Sequence, residues 1–266
     1  MHTEINDDLT ALKYVQKNKD CYIAILHSVT PTDKDVIVEN ILNEYGSVRY
    51  KTCKSLSFNG YVNLKKISYG WFGTRNRWIG NTTNNFAGAQ DHARLTSGQN
   101  DLRIFVFECK SFEKVLQAKR DIRALYKLEN YSLHINDVRE EALCLAQTFF
   151  NKNSLFVLNE RPFEFEDEHF DMLLDKLKAY IKSTNHSPEN FCMTEPASLN
   201  VLGQGKVPLI CFFSIYDNFQ YESLDSVFFS YMPTFKSLAY RQSMIKIPDN
   251  HFYYKGLKFA NISKTK

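Results

Sequence analysis

Between residues 21 and 150, short apolar runs alternate with segments whose apolar residues recur at every third or fourth position. This alternation constrains the fold more than any other feature. A strand period of two and a helix period of about 3.6 place apolar side chains on one face only in their own geometry. Cys21–His27 reads as a buried strand. The turn Ser28-Val-Thr-Pro-Thr-Asp33 follows, and Thr32 or Asp33 caps a helix with Val36, Ile37, Ile41, Leu42 and Tyr45 as its apolar face. Gly46 ends that helix, and Val48–Phe58 returns as a strand with Lys and Arg outward. Leu102–Cys109 is the next strand, followed by a helix face of Phe112, Val115, Leu116, Ile122, Leu125 and Tyr126. Tyr131–Ile135 is a short strand, and Asp137-Val-Arg-Glu140 is a capping box that opens a helix burying Ala142, Leu145, Ala146, Phe149 and Phe150. The order β-α-β-(insert)-β-α-β-α predicts an α/β or α+β sheet layer covered by helices, with α+β the expected class.

Residues 1–20 are polar, with Leu9, Leu12 and Tyr14 as apolar contacts of a short helix. The insert, residues 59–98, starts with Val62, Leu64, Ile67 and Tyr69 on one helix. It then passes into Gly70-Trp-Phe-Gly-Thr-Arg-Asn-Arg-Trp-Ile-Gly-Asn-Thr-Thr-Asn-Asn-Phe86, a polar and aromatic loop with neither period. A second domain over 153–266 reads as a strand at Leu155–Leu158 and a helix stripe of Phe170, Leu173, Leu174, Leu177 and Ile181. A strand around Asn190–Met193, a short helix from Pro196 to Leu202, a strand from Pro208 to Tyr216 and an aromatic-rich, strand-like last third complete it.

Composition narrows the function classes. With 33 Lys+Arg against 30 Asp+Glu, the net charge of +3 argues against a dedicated nucleic-acid binder. The apolar run Tyr22–Leu26 is too short to span a bilayer and follows acidic residues, so neither a signal peptide nor a transmembrane helix is expected, and the expected location is the cytoplasm. The six cysteines and seven histidines are dispersed, without metal-ligand spacing or a disulfide framework.

The segment Ser132-Leu-His134-Ile-Asn-Asp137-Val-Arg-Glu140 holds the best chemical candidates. A histidine at the end of a strand, before a helix, stands at a sheet edge, where imidazole acts as nucleophile or base. Lys119 and Arg123 lie on the preceding helix and, with a free helix N-terminus, suit phosphate oxygens. The alternative is a buried histidine with satisfied hydrogen bonds and a lysine that covers apolar surface. Arg75, Arg77, Trp71 and Trp78 either clamp a nucleotide or a nucleic-acid base, or pack on their own domain.

In its order of features the first half resembles nucleoside diphosphate kinases. The segment Asn130-Tyr-Ser-Leu-His134-Ile-Asn-Asp137-Val-Arg-Glu-Glu-Ala142 is similar to that family's Asn-x-x-His-Gly-Ser-Asp-x-x-x-x-Ala. The resemblance implies a ferredoxin-like βαββαβ core over 21–152, with His134 as phosphoryl carrier, Asp137 beside it, Arg123 as phosphate ligand and Tyr69 as the tyrosine near the site. The family's Lys-Pro-Asp after the first strand is here Leu26-His27-Ser28, and its Gly-Ser is Ile135-Asn136.

The second half resembles a degenerate nucleotidyltransferase of the polymerase-β type. Its carriers are Asn190-Phe-Cys-Met-Thr-Glu-Pro-Ala-Ser-Leu-Asn-Val-Leu-Gly203 and Pro208-Leu-Ile-Cys-Phe-Phe. Glu195-Pro196 stand in place of Gly-Ser, and Leu209 and Cys211 in place of two metal-binding carboxylates. The expected function is therefore binding of a nucleotide or phosphorylated small molecule by Tyr69, Arg75, Arg77, Lys119 and Arg123, with His134 as nucleophile or base. The ligand would be a nucleoside triphosphate that brings its own magnesium. The competing class is an inactive binding or assembly protein, a pseudoenzyme, meeting a protein partner or a second copy through aromatic runs such as Phe228–Tyr231 and Phe252–Tyr254.

Overall fold

The computed structural model describes residues 5–72, 77–205, 209–216, 219, 221, 227–233 and 236–261. The fold is α+β, and the chain divides into two compact units, 1–150 and 151–266.

In the first unit, α1 (Asp8–Lys17) leads into β1 (Cys21–Leu26), α2 (Asp35–Tyr45) and β2 (Ser47–Lys54). The insert follows as α3 (Phe58–Lys65), a π-helical segment Lys66–Trp71, two 3-10 turns and α4 (Ala87–Thr96). Then come β3 (Leu102–Glu108), α5 (Phe112–Tyr126), β4 (Leu133–Ile135) and α6 (Arg139–Phe149). The sheet order is β2-β3-β1-β4, with every neighbouring pair antiparallel. Ala24, Leu26, Phe105, Phe107, Leu133 and Ile135 face α2 and α5, meeting Val38, Leu42, Val115, Ala118 and Ile122 in one core. Because side chains alternate along a strand, Ile23, Ile25 and His134 take the opposite face, where α6 packs against β1 and α1 against α6.

Two local readings are corrected. The apolar face of α2 is Val38 and Leu42, flanked by Ile41 and Tyr45, while Val36 is 70% and Ile37 45% exposed. Positions 38, 41, 42 and 45 form the stripe that a helix can present to one neighbour, and Val36 lies on its far side. Asp137 is not a helix cap. The cap position of α6 is Val138, without a side-chain bond, and the Asp137 carboxylate instead pairs with Lys119 at 2.7 Å. Past the loop expected up to Phe86, the end of the insert is helical over 87–96, its entry set by Phe86 in a left-handed conformation (φ 53°).

The second unit starts with α7 (Lys152–Glu160), where the sequence suggested a strand at Leu155–Leu158. The Asn151 side chain caps it by accepting from the Ser154 N–H at 2.9 Å, and Ser154, Val157 and Leu158 are buried at helical spacing. After α8 (Glu168–Ser183) come β5 (Phe191–Met193), α9 (Ala197–Val201), β6 (Ile210–Ser214), β7 (Phe229–Tyr231), α10 (Leu238–Lys246), β8 (His251–Tyr254) and β9 (Leu257–Ala260). Their sheet is mixed, in the order β7-β6-β5-β9-β8. The buried stripe of α8 includes Phe170, Leu173, Leu174, Leu177 and Ile181. The aromatic last third thus contains a helix, α10, as well as strands. Among the described residues no helix is long and apolar enough to cross a membrane.

The α2 face has a direct test by urea unfolding. Val38→Ala should cost about 2 kcal/mol, from lost apolar burial and a residual cavity. Val36→Ala should stay within about 0.5 kcal/mol of wild type. Equal costs would contradict the observed face.

Candidate functional site

β4 is only three residues long, and its alternation decides the site. Leu133 and Ile135 enter the core, so His134, paired in register with Ile25, turns to the other face. One step beyond β1 the same alternation brings His27 to that face, where its backbone N–H donates to the Ser132 carbonyl at 2.9 Å. Asn136 extends the pairing, accepting from the buried Ile23 N–H at 2.7 Å.

His134 is 6% exposed, and its Nε2 lies 2.6 Å from Oε1 of Glu141 in the first turn of α6. The other carboxylate oxygen of Glu141 accepts from the Asp137 N–H at 3.3 Å. An ionised carboxylate only accepts, so in a neutral imidazole paired with it Nε2 carries the proton and Nδ1 the lone pair. No described residue hydrogen-bonds to Nδ1.

The insert closes over this face. The Tyr69 ring, in the π-helical segment, stands at 69° to the His134 ring with centroids 5.3 Å apart. Burial pushes its hydroxyl up to about 12, against the pull of Arg123. Short π-helical segments recur at functional sites because the extra residue redirects side chains. His92, on α4, lies within ring contact of Tyr69, Trp78 and Tyr131 at 5.5, 5.2 and 5.1 Å. Gly88 lets α4 close on the Trp78 carbonyl, with which a Cβ would collide. The end of the insert is pinned to the turn after β1 by the Gly98 N–H, which donates to Ser28 Oγ at 2.9 Å.

Lys65, the last residue of α3, is 1% exposed, and its Nζ is 3.2 Å from Nε2 of His27, also 1% exposed. Burial holds the Lys65 amine well below its ordinary range. His27 is likewise held well below 6.5 by burial, then by Lys65, His134, His92 and Arg123. Burial, reinforced by Lys65 and His134, takes His92 down to about 3. Arg123 donates through NH2 to the Leu133 carbonyl at 3.2 Å, and burial works against its charge. Nδ1 of His27, Nδ1 of His92 and Nε of Arg123 are buried without hydrogen-bond partners.

The structure therefore brings His134, Tyr69 and Arg123 together, while Lys119 and Asp137 satisfy each other. Arg75 and the Arg77 side chain lie outside the described residues. His27, Lys65, His92 and Glu141 join the group without having been singled out from the sequence. The position directly after β1 could have drawn attention to His27, since it borders the same sheet edge as His134. Among the described residues no cluster of His, Cys, Asp and Glu is arranged to hold a metal ion. Compared with family models, curated proteins and solved structures, the chain matches none.

The buried lysine leaves a signature in the pH dependence of stability. Unfolded Lys65 holds its proton up to about pH 10.4, whereas the folded amine has lost it at lower pH. The unfolded chain thus binds the extra proton, and this contribution to stability rises with pH. Lys65→Met should be more stable than wild type at neutral pH, with an advantage that shrinks as pH rises towards about 10.4. A pH-independent difference in chemical denaturation would contradict a neutral buried amine.

Proposed function

We propose that the first unit is a ferredoxin-like domain that binds a nucleoside triphosphate, or another phosphorylated small molecule, over His134 and accepts a phosphoryl group on that imidazole. The strand order β2-β3-β1-β4, with α2 and α5 on one face, supports the ferredoxin-like reading. The observation that carries the function is the pair His134 Nε2–Glu141 Oε1 at 2.6 Å, which leaves Nδ1 without a hydrogen bond.

The chemistry follows from that pair. The Nδ1 lone pair attacks the terminal phosphorus in line with the leaving oxygen, forming an N–P bond as the P–O bond to the nucleoside diphosphate breaks. Positive charge developing on the ring is met by the Glu141 carboxylate through the shared Nε2 proton. Arg123 lies where its guanidinium can offset phosphate charge, and the Tyr69 ring fixes one side of the imidazole. Magnesium would arrive with the nucleotide, shielding its phosphates.

The second unit is proposed as a nucleotidyltransferase-like scaffold. Leu209 and the partly buried Cys211, which lies on β6, supply no carboxylates for a metal, and this favours a non-catalytic role in holding a partner.

Incubation with gamma-labelled ATP and magnesium tests the transfer. Wild type should gain an acid-labile, alkali-stable label, and His134→Ala should gain none. Absence of label in wild type would contradict transfer. A rise in melting temperature with ATP would then leave binding standing, since ligand at 100 times its Kd adds about 2.7 kcal/mol of stability.

A further inference from the structure

We propose that Lys65, positioned by His27, is the cation that meets the ligand's phosphate, and that this pair takes up a proton when the phosphate enters. The inference rests on the phosphate-binding part of the preceding reading and is independent of whether His134 accepts a phosphoryl group.

Lys65 is among the largest fully buried side chains of the chain, and no carboxylate among the described residues pairs with it. A buried amine without a counter-charge lowers stability, and a methionine of similar volume would be expected to serve the fold better. Such groups concentrate where a ligand supplies what the fold withholds.

The neighbours specify what is withheld. Arg123 Nε is a buried donor with no acceptor, and a guanidinium never accepts a hydrogen bond. Its missing partner is therefore an acceptor atom. A charged Lys65 ammonium is also donor-only. Nδ1 of His27 and Nδ1 of His92 are buried and unpartnered as well. Buried polar atoms of this kind are uncommon in native proteins, and four basic side chains surrounding them ask for an acceptor-rich anion rather than a cation. A terminal phosphate supplies three oxygens and up to two negative charges.

The groups of this buried cluster come from every element around it: His27 after β1, Lys65 from α3, Tyr69 from the π-helical segment, His92 from α4, Arg123 from α5, His134 from β4 and Glu141 from α6. Burial disfavours the charged forms of Lys65, His27 and His92 and works against the charge of Arg123 as well. An entering phosphate dianion reverses that balance. The amine gains a proton from solvent, and its distance of 3.2 Å to His27 Nε2 allows the ammonium to donate to His27 while turning its other protons to phosphate oxygens.

Calorimetric titration with ATP, and separately with inorganic pyrophosphate, in two buffers of different ionisation enthalpy measures affinity and protons taken up together. Wild type should take up about one proton per ligand at pH 7.5. Lys65→Met should bind at least about tenfold more weakly and lose that uptake, although it is the more stable protein. Lys65→Gln, which keeps a polar tip, gives the same comparison in a second variant. His27→Gln should keep the fold and weaken binding less than either Lys65 variant. Affinity and proton uptake are read whether or not label reaches His134, which separates this inference from phosphoryl transfer. Wild-type affinity and uptake in both Lys65 variants would overturn the proposal while leaving the phosphate-binding reading intact. Absence of ATP and pyrophosphate binding to wild type would overturn both.

Discussion

The hydrogen bond between His134 and Glu141 is the contact on which the proposed chemistry of the first unit depends. It joins the shortest strand of the sheet to the first turn of α6, with both partners buried. A charge-assisted bond of this kind is worth about 1.5–3 kcal/mol, and removing one partner would leave the other buried and unsatisfied. The bond also settles which ring nitrogen is available. With Nε2 engaged, the proposed transfer would go through Nδ1.

Around that bond the fold accumulates basic groups it does not neutralise. Each buried nitrogen left without a partner costs on the order of 1–3 kcal/mol. The cost is carried by the double-sided burial of β1 and by the α2–α5 core on the other face of the sheet. The insert contributes enclosure rather than charge compensation. Gly88 allows the close approach of α4 to Trp78, and Ser28 ties the insert's end to the turn that presents His27. Backbone geometry at a distance from the imidazoles thus determines how dry their surroundings are, and dryness disfavours charge on His27 and His92.

Sequence patterning made some of this legible and hid the rest for identifiable reasons. β1 and the stripe of α8 stand out because a continuous apolar run and five apolar residues at helical spacing have no competing interpretation. The segment Leu155–Leu158 misleads because a short apolar run fits strand and helix alike, and the deciding signal is the Asn151 cap before it. On α2, Val36 and Ile37 are apolar yet exposed, so counting apolar residues shifts the inferred face. His134 was visible because it interrupts a strand next to a helix start. Glu141 was not: the pattern Asp137…Glu140 matched a capping box, whereas the carboxylate that folds back is one residue later and its acceptor role depends on tertiary packing. Lys65 carries no sequence signal at all. It sits beside Lys66 on a helix, where a lysine ordinarily reaches for solvent.

The most direct measurement is long-range proton–nitrogen NMR correlation of the imidazole side chains at pH 7.5, which reports the protonation of each ring nitrogen. The account predicts that neutral His134 is the Nε2–H tautomer, with a pyridine-type Nδ1, and that Glu141→Gln broadens or shifts this signature. A neutral His134 protonated at Nδ1 would contradict the account, because the nitrogen assigned to chemistry would then carry the proton instead of the lone pair.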